Sequence, residues 1–149
     1  MAEPGRVLAL DLGEVRIGVA VSDPGRRLAV PAGTLRVAGA PQDLKAVAAL
    51  VREHGATAVV VGHPLSLTGR RGEVARRAEE FAEGLRLLLD VPVHLQDERL
   101  STVEAERELR EAGVSGPRRR EAVDQAAATV ILRAFLDQEG ATEGPAEPH

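Results

Sequence analysis

The stretch V-L-A-L-D-L-G-E-V-R-I-G-V-A-V-S-D, residues 7–23, decides the fold of this chain. Two short apolar runs, 7–10 and 17–21, flank its D-L-G-E connection. Runs of this length, separated by a few residues that include Gly, are typical of a β-hairpin. Asp11 places an ionisable group at the end of an otherwise apolar strand. Such a carboxylate is costly to bury unless it is hydrogen-bonded, paired with a charge or bound to a metal.

Outward from the hairpin, the apolar patterning predicts further strands and helices. Strands are expected over 6–11, 15–22, 28–37, 57–61 and 93–96, and helices over 41–54, 73–89, 101–113 and 117–139. This order predicts one α/β domain, residues 1–139, on a mixed five-stranded sheet: three antiparallel strands, then two β-α crossovers, with helices packed on the sheet. Residues 140–149 are expected to form an acidic, disordered tail.

Three local features sharpen this prediction. Gly18 lies inside the second strand, which indicates a bulge or a close approach by another part of the chain. Pro31 and Gly33 interrupt the third strand, which favours an edge position. The β-branched run at 57–61 shows no alternation, as expected of a central parallel strand buried on both faces.

The composition excludes several classes of protein. A chain of 149 residues without cysteine fits one domain and cannot form disulfides or thiolate metal sites. No apolar run approaches the roughly 20 residues of a membrane span. The N-terminus lacks the basic and apolar layout of a secretory signal, so a cytoplasmic location and no membrane contact are expected.

The charge balance does not decide whether nucleic acid is a partner. The net charge is −4, but three of the acids, Glu139, Glu143 and Glu147, belong to the last dozen residues, and the rest of the chain carries only −1. Eighteen of the nineteen bases are arginines. Because the only aromatic residues are Phe81 and Phe135, both predicted to be core residues, contacts to nucleic acid would have to follow backbone and shape rather than base stacking.

Asp124 is a candidate to join Asp11. It lies within the helix predicted over 117–139, three and seven residues before Ala127 and Ile131, and so borders that helix's apolar face. Small alanines on this face would let the helix approach the sheet closely. An aspartate at such a boundary is more often solvated than a ligand, so the pattern alone leaves its role open.

Asp97 and Glu98 follow the strand predicted over 93–96, at the sheet edge where parallel-sheet enzymes place functional groups. Side chains alternate along a strand, so only one of the two can face a given site, and alternation does not choose between them. The simpler interpretation of both is an acidic turn that caps the following helix.

Asp11, Glu98 and Asp124 together would make a cluster with oxygen ligands only, which suits Mg²⁺ or Mn²⁺ rather than zinc. Two such ions roughly 3.5–4 Å apart can activate a water and stabilise the leaving oxygen in phosphodiester cleavage. Glu121, one turn before Asp124, is a weaker candidate for a fourth ligand, since a Glu in the first turn of a helix is ordinarily solvated.

The loop G-H-P-L-S-L-T-G-R-R-G, residues 62–72, follows the central parallel strand. Its glycines would let the backbone approach phosphates, and Arg70 and Arg71 would bind them. A solvated loop with charged tips is an equally good interpretation. The loop lacks the G-K-[ST] of a Walker A motif, and the histidines, including His63, show no metal-ligand spacing, so a structural role is favoured for His63.

Four segments in register resemble the YqgF/RuvX family, described as Holliday junction resolvases and as nucleases of pre-16S rRNA. They are L-D-L-G-E-V-R-I-G-V-A-V-S-D (10–23), V-G-H-P-L-S-L-T-G-R-R-G (61–72), Q-D-E-R-L-S-T-V-E-A (96–105) and V-D-Q-A-A-A-T-V-I-L (123–132). The resemblance rests on the four segments together, because D-x-G by itself also opens the phosphate loops of sugar kinases and actin-like ATPases.

The resemblance implies an RNase H-like fold and metal-dependent nuclease activity. It assigns Asp11, Glu98 and Asp124 to the catalytic, metal-binding cluster, and so chooses Glu98 over Asp97. It also matches Arg16, Arg70 and Arg99 to basic positions of the family that contact the substrate or the protein itself. His63 departs from the family, whose members usually carry an apolar residue before the proline.

Three functions are therefore considered. The first is an endonuclease that uses Mg²⁺ or Mn²⁺ on structured nucleic acid, either pre-rRNA or branched DNA. The second is a non-catalytic nucleic-acid-binding module. The third is an ATPase of actin-like ancestry, which would need a dimer because the chain holds one copy of the domain. The sequence leaves monomer and homodimer open, although symmetric cutting of a four-way junction requires two active sites.

Overall fold

The computed structural model describes residues 3–64, 72–97, 107, 110, 111, 113 and 119–143, with side chains of the last range described over 121–140. The described elements are β1 (Arg6–Leu12), β2 (Arg16–Ser22), β3 (Ala29–Arg36), α1 (Ala40–His54), β4 (Ala56–His63), α2 (Glu73–Leu88), β5 (Val93–Asp97) and α3 (Arg119–Glu143). Most of the helix predicted over 101–113 lies outside the described residues. None of the helices in the described ranges is long and apolar enough to cross a membrane.

The five strands form one mixed sheet in the order β3-β2-β1-β4-β5. β1 pairs antiparallel with β2, and β2 with β3, whereas β1 pairs parallel with β4, and β4 with β5. The predicted sheet is confirmed, with β3 at an edge and β4 in the interior. Because β1, β4 and β5 are parallel, their carboxyl ends meet at one edge of the sheet.

The two faces of the sheet pack against different helices. Larger side chains such as Leu8, Leu10 and Ile17 form one core with α1 and α2. The other core packs against α3 and draws smaller side chains from the strands, among them Ala9, Ala20 and Ala58. Because side chains alternate along a strand, the residues that share the parity of Ala9 in β1 face α3. The small residues let α3 lie close to the sheet.

The end of α3 is tied to the turn between β2 and β3. Arg26 Nη1 donates to Glu139 Oε2 at 2.7 Å, and Arg26 Nε donates to the carbonyl oxygen of Gly5 at 2.9 Å. The helix continues to Glu143, four residues beyond the predicted end at 139, and the remaining residues of the predicted tail, 144–149, lie outside the described residues.

Asp23 organises the same turn. Its Oδ1 accepts the backbone N–H groups of Arg27 at 2.8 Å and of Leu28 at 2.7 Å, and its Oδ2 accepts that of Gly25 at 3.2 Å. These bonds, above all the one from Leu28, hold the pKa of the Asp23 carboxyl below its ordinary value. The ionised carboxylate therefore stabilises the turn that leads into β3.

This lowered pKa predicts a pH-dependent contribution to stability. The contribution is fully present above the unfolded-state pKa, about 3.9, and is lost as the pH falls through the lower pKa of the folded state. We expect Asp23→Asn to lower the free energy of unfolding at pH 7, and the gap to wild type to shrink below about pH 4. Urea unfolding from pH 7 to pH 3 measures both. A gap of equal size at every pH would show that the charge of Asp23 is not what stabilises the turn.

Candidate active site

Asp11 lies at the end of β1, on the face of the sheet that packs against α3. It is directly opposite Gly18 in the antiparallel β1–β2 pair. Residues directly opposite each other project to the same face, with Cα atoms about 4.5–5.5 Å apart. Asp11 also has the parity of Val7 and Ala9, both of which belong to the core beneath α3. The side chain of Asp11 is therefore directed to the side of the sheet that carries the helix.

Asp124 reaches the same place from α3, because the helix approaches β2 most closely at Gly18. A Cβ atom added to Gly18 would overlap the backbone carbonyl oxygen of Asp124 and would lie 3.1 Å from its Cβ. The β2–β3 register also shifts between Gly18 and Ala20. The close approach predicted at Gly18 is confirmed, whereas the extra residue of the register shift lies in β3, between Pro31 and Thr34. Gly18 thus lies between Asp11, its partner in the sheet, and Asp124 on the helix.

Arg16 fixes the side chain of Asp124. Its Nε donates to Asp124 Oδ2 at 2.9 Å, and the two side chains are only 22% and 23% exposed. Arg16 and Gly18 are two residues apart on one strand and so face the same helix. β2 therefore contacts Asp124 twice, at its backbone and at its carboxylate. Of the two roles that the resemblance allowed for Arg16, this is the contact within the protein.

The alternation of side chains along β5 shows on which face of the sheet Asp97 lies. The ring of His94 lies 5.1 Å from that of Phe135 on α3, so alternate residues of β5 face this helix. Leu95 packs in the opposite core, and Asp97 shares its parity. Asp97 is therefore on the other side of the sheet from Asp11. Glu98, which the resemblance selected, lies outside the described residues.

The described part of the chain contains two of the three predicted metal ligands. No group of three or more His, Asp or Glu side chains that could hold a metal occurs among the described residues. Asp11 and Asp124 are on one face, and the third predicted ligand is outside the described ranges. Three predicted basic contacts, Arg70, Arg71 and Arg99, are also outside them. The assignment of the site residues stays a prediction.

On the opposite face of the sheet, two contacts with α2 hold the chain near the carboxyl ends of the parallel strands. His63 Nε2 and Glu79 Oε2 of α2 are 2.7 Å apart, and Arg77 Nη1 of α2 donates to the carbonyl oxygen of Gly13 at 2.8 Å. These bonds hold the end of β4 and the hairpin turn against α2. A structural role for His63 agrees with this contact. Its partner was not predicted, since sequence spacing does not indicate which strand end a helix will meet.

The sheet order and the crossing helix define the class of this protein as an RNase H-like α/β domain. Residues 5–138 match the model of the RuvX family, which is described as a Holliday junction resolvase. The chain therefore belongs to the RuvX family and is a nuclease, a hydrolase of ester bonds.

Two relatives show how far the likeness extends. A protein of Roseiflexus sp. (strain RS-1) is 46% identical over 138 residues, which covers 93% of this chain and 98% of the relative. A protein of Myxococcus xanthus is 48% identical over 132 residues, covering 89% and 87% of the two chains. Both bear the name "Putative pre-16S rRNA nuclease".

Two solved structures share the fold. RuvC of T. thermophilus, in complex with a Holliday junction substrate, has a TM-score of 0.55 and 17% identity over 91% of this chain and 96% of its own. Fowlpox virus resolvase, in complex with Holliday junction DNA, has a TM-score of 0.55 and 10% identity over 90% and 98% of the chains. At these identities the likeness shows the fold alone.

The contact at Gly18 generates a stability prediction. In Gly18→Ala the new methyl group overlaps the backbone of Asp124, so α3 must shift, which is expected to cost about 1–3 kcal/mol of unfolding free energy. Urea unfolding measures this loss. Gly140→Ala is the control, because Gly140 lies in α3, the helix that carries Asp124, and has open space around it. The control is expected to be neutral or to stabilise by up to about 1 kcal/mol. Equal stability of wild type and Gly18→Ala would mean that the helix does not depend on this approach.

Proposed function

We propose that the protein is a metal-dependent endonuclease that hydrolyses phosphodiester bonds in structured nucleic acid, with the 5′ end of pre-16S rRNA as its principal substrate. The observation that carries the proposal is the placement of Asp11 and Asp124 on one face of the sheet. Gly18 lies between them, and Arg16 holds the second carboxylate. Carboxylates that share one face of a sheet near the carboxyl end of a parallel strand offer the oxygen ligands that a divalent cation prefers.

The choice of RNA rests on the relatives. Proteins 41–49% identical to this chain over about nine-tenths of its length are named for pre-16S rRNA. The junction complexes are 17% and 10% identical, so the support they give extends to the fold. Branched DNA, from the description of the family model, is the second substrate to test.

The donor chemistry of the described residues fits a hard divalent cation. Asp11 and Asp124 offer oxygen atoms only, and the chain has no cysteine. Mg²⁺ and Mn²⁺ prefer such ligands. With Glu98 as the third carboxylate, these residues would hold the metal, and the chemistry it supplies is activation of a water and stabilisation of the leaving oxygen. The opposite orientation of Asp97 supports Glu98 in this role.

The protein's own residues have separate tasks in this proposal. Asp11 supplies a carboxylate from a strand that pairs on both sides and is therefore fixed in position. Arg16 orients the carboxylate of Asp124 through its Nε and offsets its charge. Arg70, Arg71 and Arg99 remain proposed contacts to the substrate backbone, in keeping with a chain that has too few aromatics for base stacking.

The central test is cleavage by Asp11→Asn. The substitution keeps the shape of the side chain and removes its charge, so we expect cleavage to fall at least roughly 100-fold while the protein stays folded. Labelled pre-16S rRNA with its 5′ leader and a four-way DNA junction are assayed side by side, with Mg²⁺, with Mn²⁺ and with EDTA. Cleavage is expected with the metals, more on RNA, and none with EDTA.

Asp137→Asn is the matched control. Asp137 is an exposed residue of the same helix, about 20 Å along its axis from Asp124, and its substitution should leave cleavage unchanged. Cleavage by Asp11→Asn at the wild-type rate would refute the active-site assignment. Binding without cleavage under any metal would instead identify a binding module, and ATP turnover without cleavage would identify an ATPase.

Metal binding provides a readout that does not depend on activity. We expect Mn²⁺ to raise the melting temperature of the wild-type protein, because a ligand that binds only the folded state stabilises it. The rise should be lost in Asp124→Asn and kept in Asp137→Asn. An equal rise in all three proteins would place the bound ion away from Asp124.

A further inference from the structure

Arg36 lies beside the candidate site, at the end of the edge strand β3. It is directly opposite Arg16 in the antiparallel β2–β3 pair. The register shift of this pair lies further along β2, between Gly18 and Ala20, and does not affect the pairing of the two arginines. The neighbouring pair is Ile17 with Leu35, and both of these side chains pack on the face of α1 and α2. Alternation therefore directs Arg16 and Arg36 to the face of α3. The exposed guanidinium of Arg36 thus borders the face that carries Asp11 and Asp124.

The pairing of two arginines calls for an explanation. Like charges directly opposite each other on neighbouring strands are destabilising. Asp124 offsets the charge of Arg16 through an ion pair of 2.9 Å. Arg36 forms no ion pair with the described part of the chain. Folding thus accounts for one arginine of the pair and leaves the second positive charge exposed to solvent, on the face of the sheet that carries Asp11.

The backbone that carries Arg36 is held firmly. Leu35 is paired with Ile17 on one side, and on the other the N–H of Val37 donates to the carbonyl oxygen of Val15 in the hairpin turn at 2.8 Å. The N–H groups of the next two residues donate to the buried carboxylate of Asp43 at 2.9 and 3.2 Å. The base of the Arg36 side chain is therefore fixed relative to the candidate site.

We propose that Arg36 contacts a phosphate of the nucleic-acid backbone next to the bond that is cut, so that the substrate crosses the sheet over β2 and β3. This inference rests on the proposed function and adds the path of the substrate. A cluster of carboxylates repels a polyanion, so bases at its border are needed to hold the backbone against it. Arg36 supplies such a base on the β3 side. The contact is sequence-independent, since a phosphate carries no base identity.

The experiment measures binding against salt in the absence of divalent metal, where no cleavage occurs. A fluorescein-labelled RNA hairpin with a single-stranded 5′ extension and a labelled four-way DNA junction are titrated by anisotropy between 50 and 200 mM KCl. Loss of one phosphate contact lowers the slope of log K against log salt by about 0.7–0.9, so the affinity ratio between these salts should fall about threefold in Arg36→Gln. Arg36→Lys should retain most of the slope.

Arg52→Gln is the matched control, because it removes the same charge from an exposed position on α1, on the opposite face of the sheet. It should keep the wild-type slope. An exposed base that only protects an edge strand from pairing would give Arg36→Gln the same slope as Arg52→Gln, and this would overturn the inference. Failure of the wild-type protein to bind either probe would instead count against the proposed function itself.

Discussion

The close approach of α3 to β2 at Gly18 is the contact on which the rest of this structure depends. It requires a residue without a Cβ at one position of the sheet, because any side chain there would overlap the backbone of Asp124. It also requires small residues under the helix, which the strands provide as alanines. Once these conditions are met, Asp124 on the last helix and Asp11 in the first strand lie on the same face of the sheet, each beside Gly18. The candidate site is thus a consequence of how tightly one helix packs.

The two faces of the sheet have different roles: one packs in the main core, and the other carries the candidate site. Its face toward α1 and α2 holds the larger apolar side chains and the bonds that fix the hairpin turn and the end of β4. Its face toward α3 holds Asp11 and the two arginines that lie opposite each other, and Asp124 reaches this face from the helix. Because side chains alternate, each strand contributes to both faces at once. Asp11 is therefore carried on a strand whose other face is anchored in the main core.

Much of the fold could be predicted because its determinants are local. The hairpin, the edge position of the third strand and the unusual role of Gly18 follow from residue types within a few positions. The end of α3 was predicted four residues too early, at 139, just before Gly140. In the structure Gly140 has open space around it, and the helix continues past it. Position alone does not distinguish a glycine that ends a helix from one that the helix tolerates.

The site was less predictable, since its contacts join distant parts of the chain. The ion pair between Arg16 and Asp124 spans 108 residues, and no spacing rule indicates it. Arg36 was missed because its place next to Arg16 depends on the register of an edge strand. The same contacts have a mechanical consequence. Arg16 and Gly18 hold α3 near Asp124, and Arg26 holds its far part through Glu139. Because the helix is held at two separate points, a change at the turn between β2 and β3 tilts α3 and so displaces Asp124, although that turn lies at the other end of the helix.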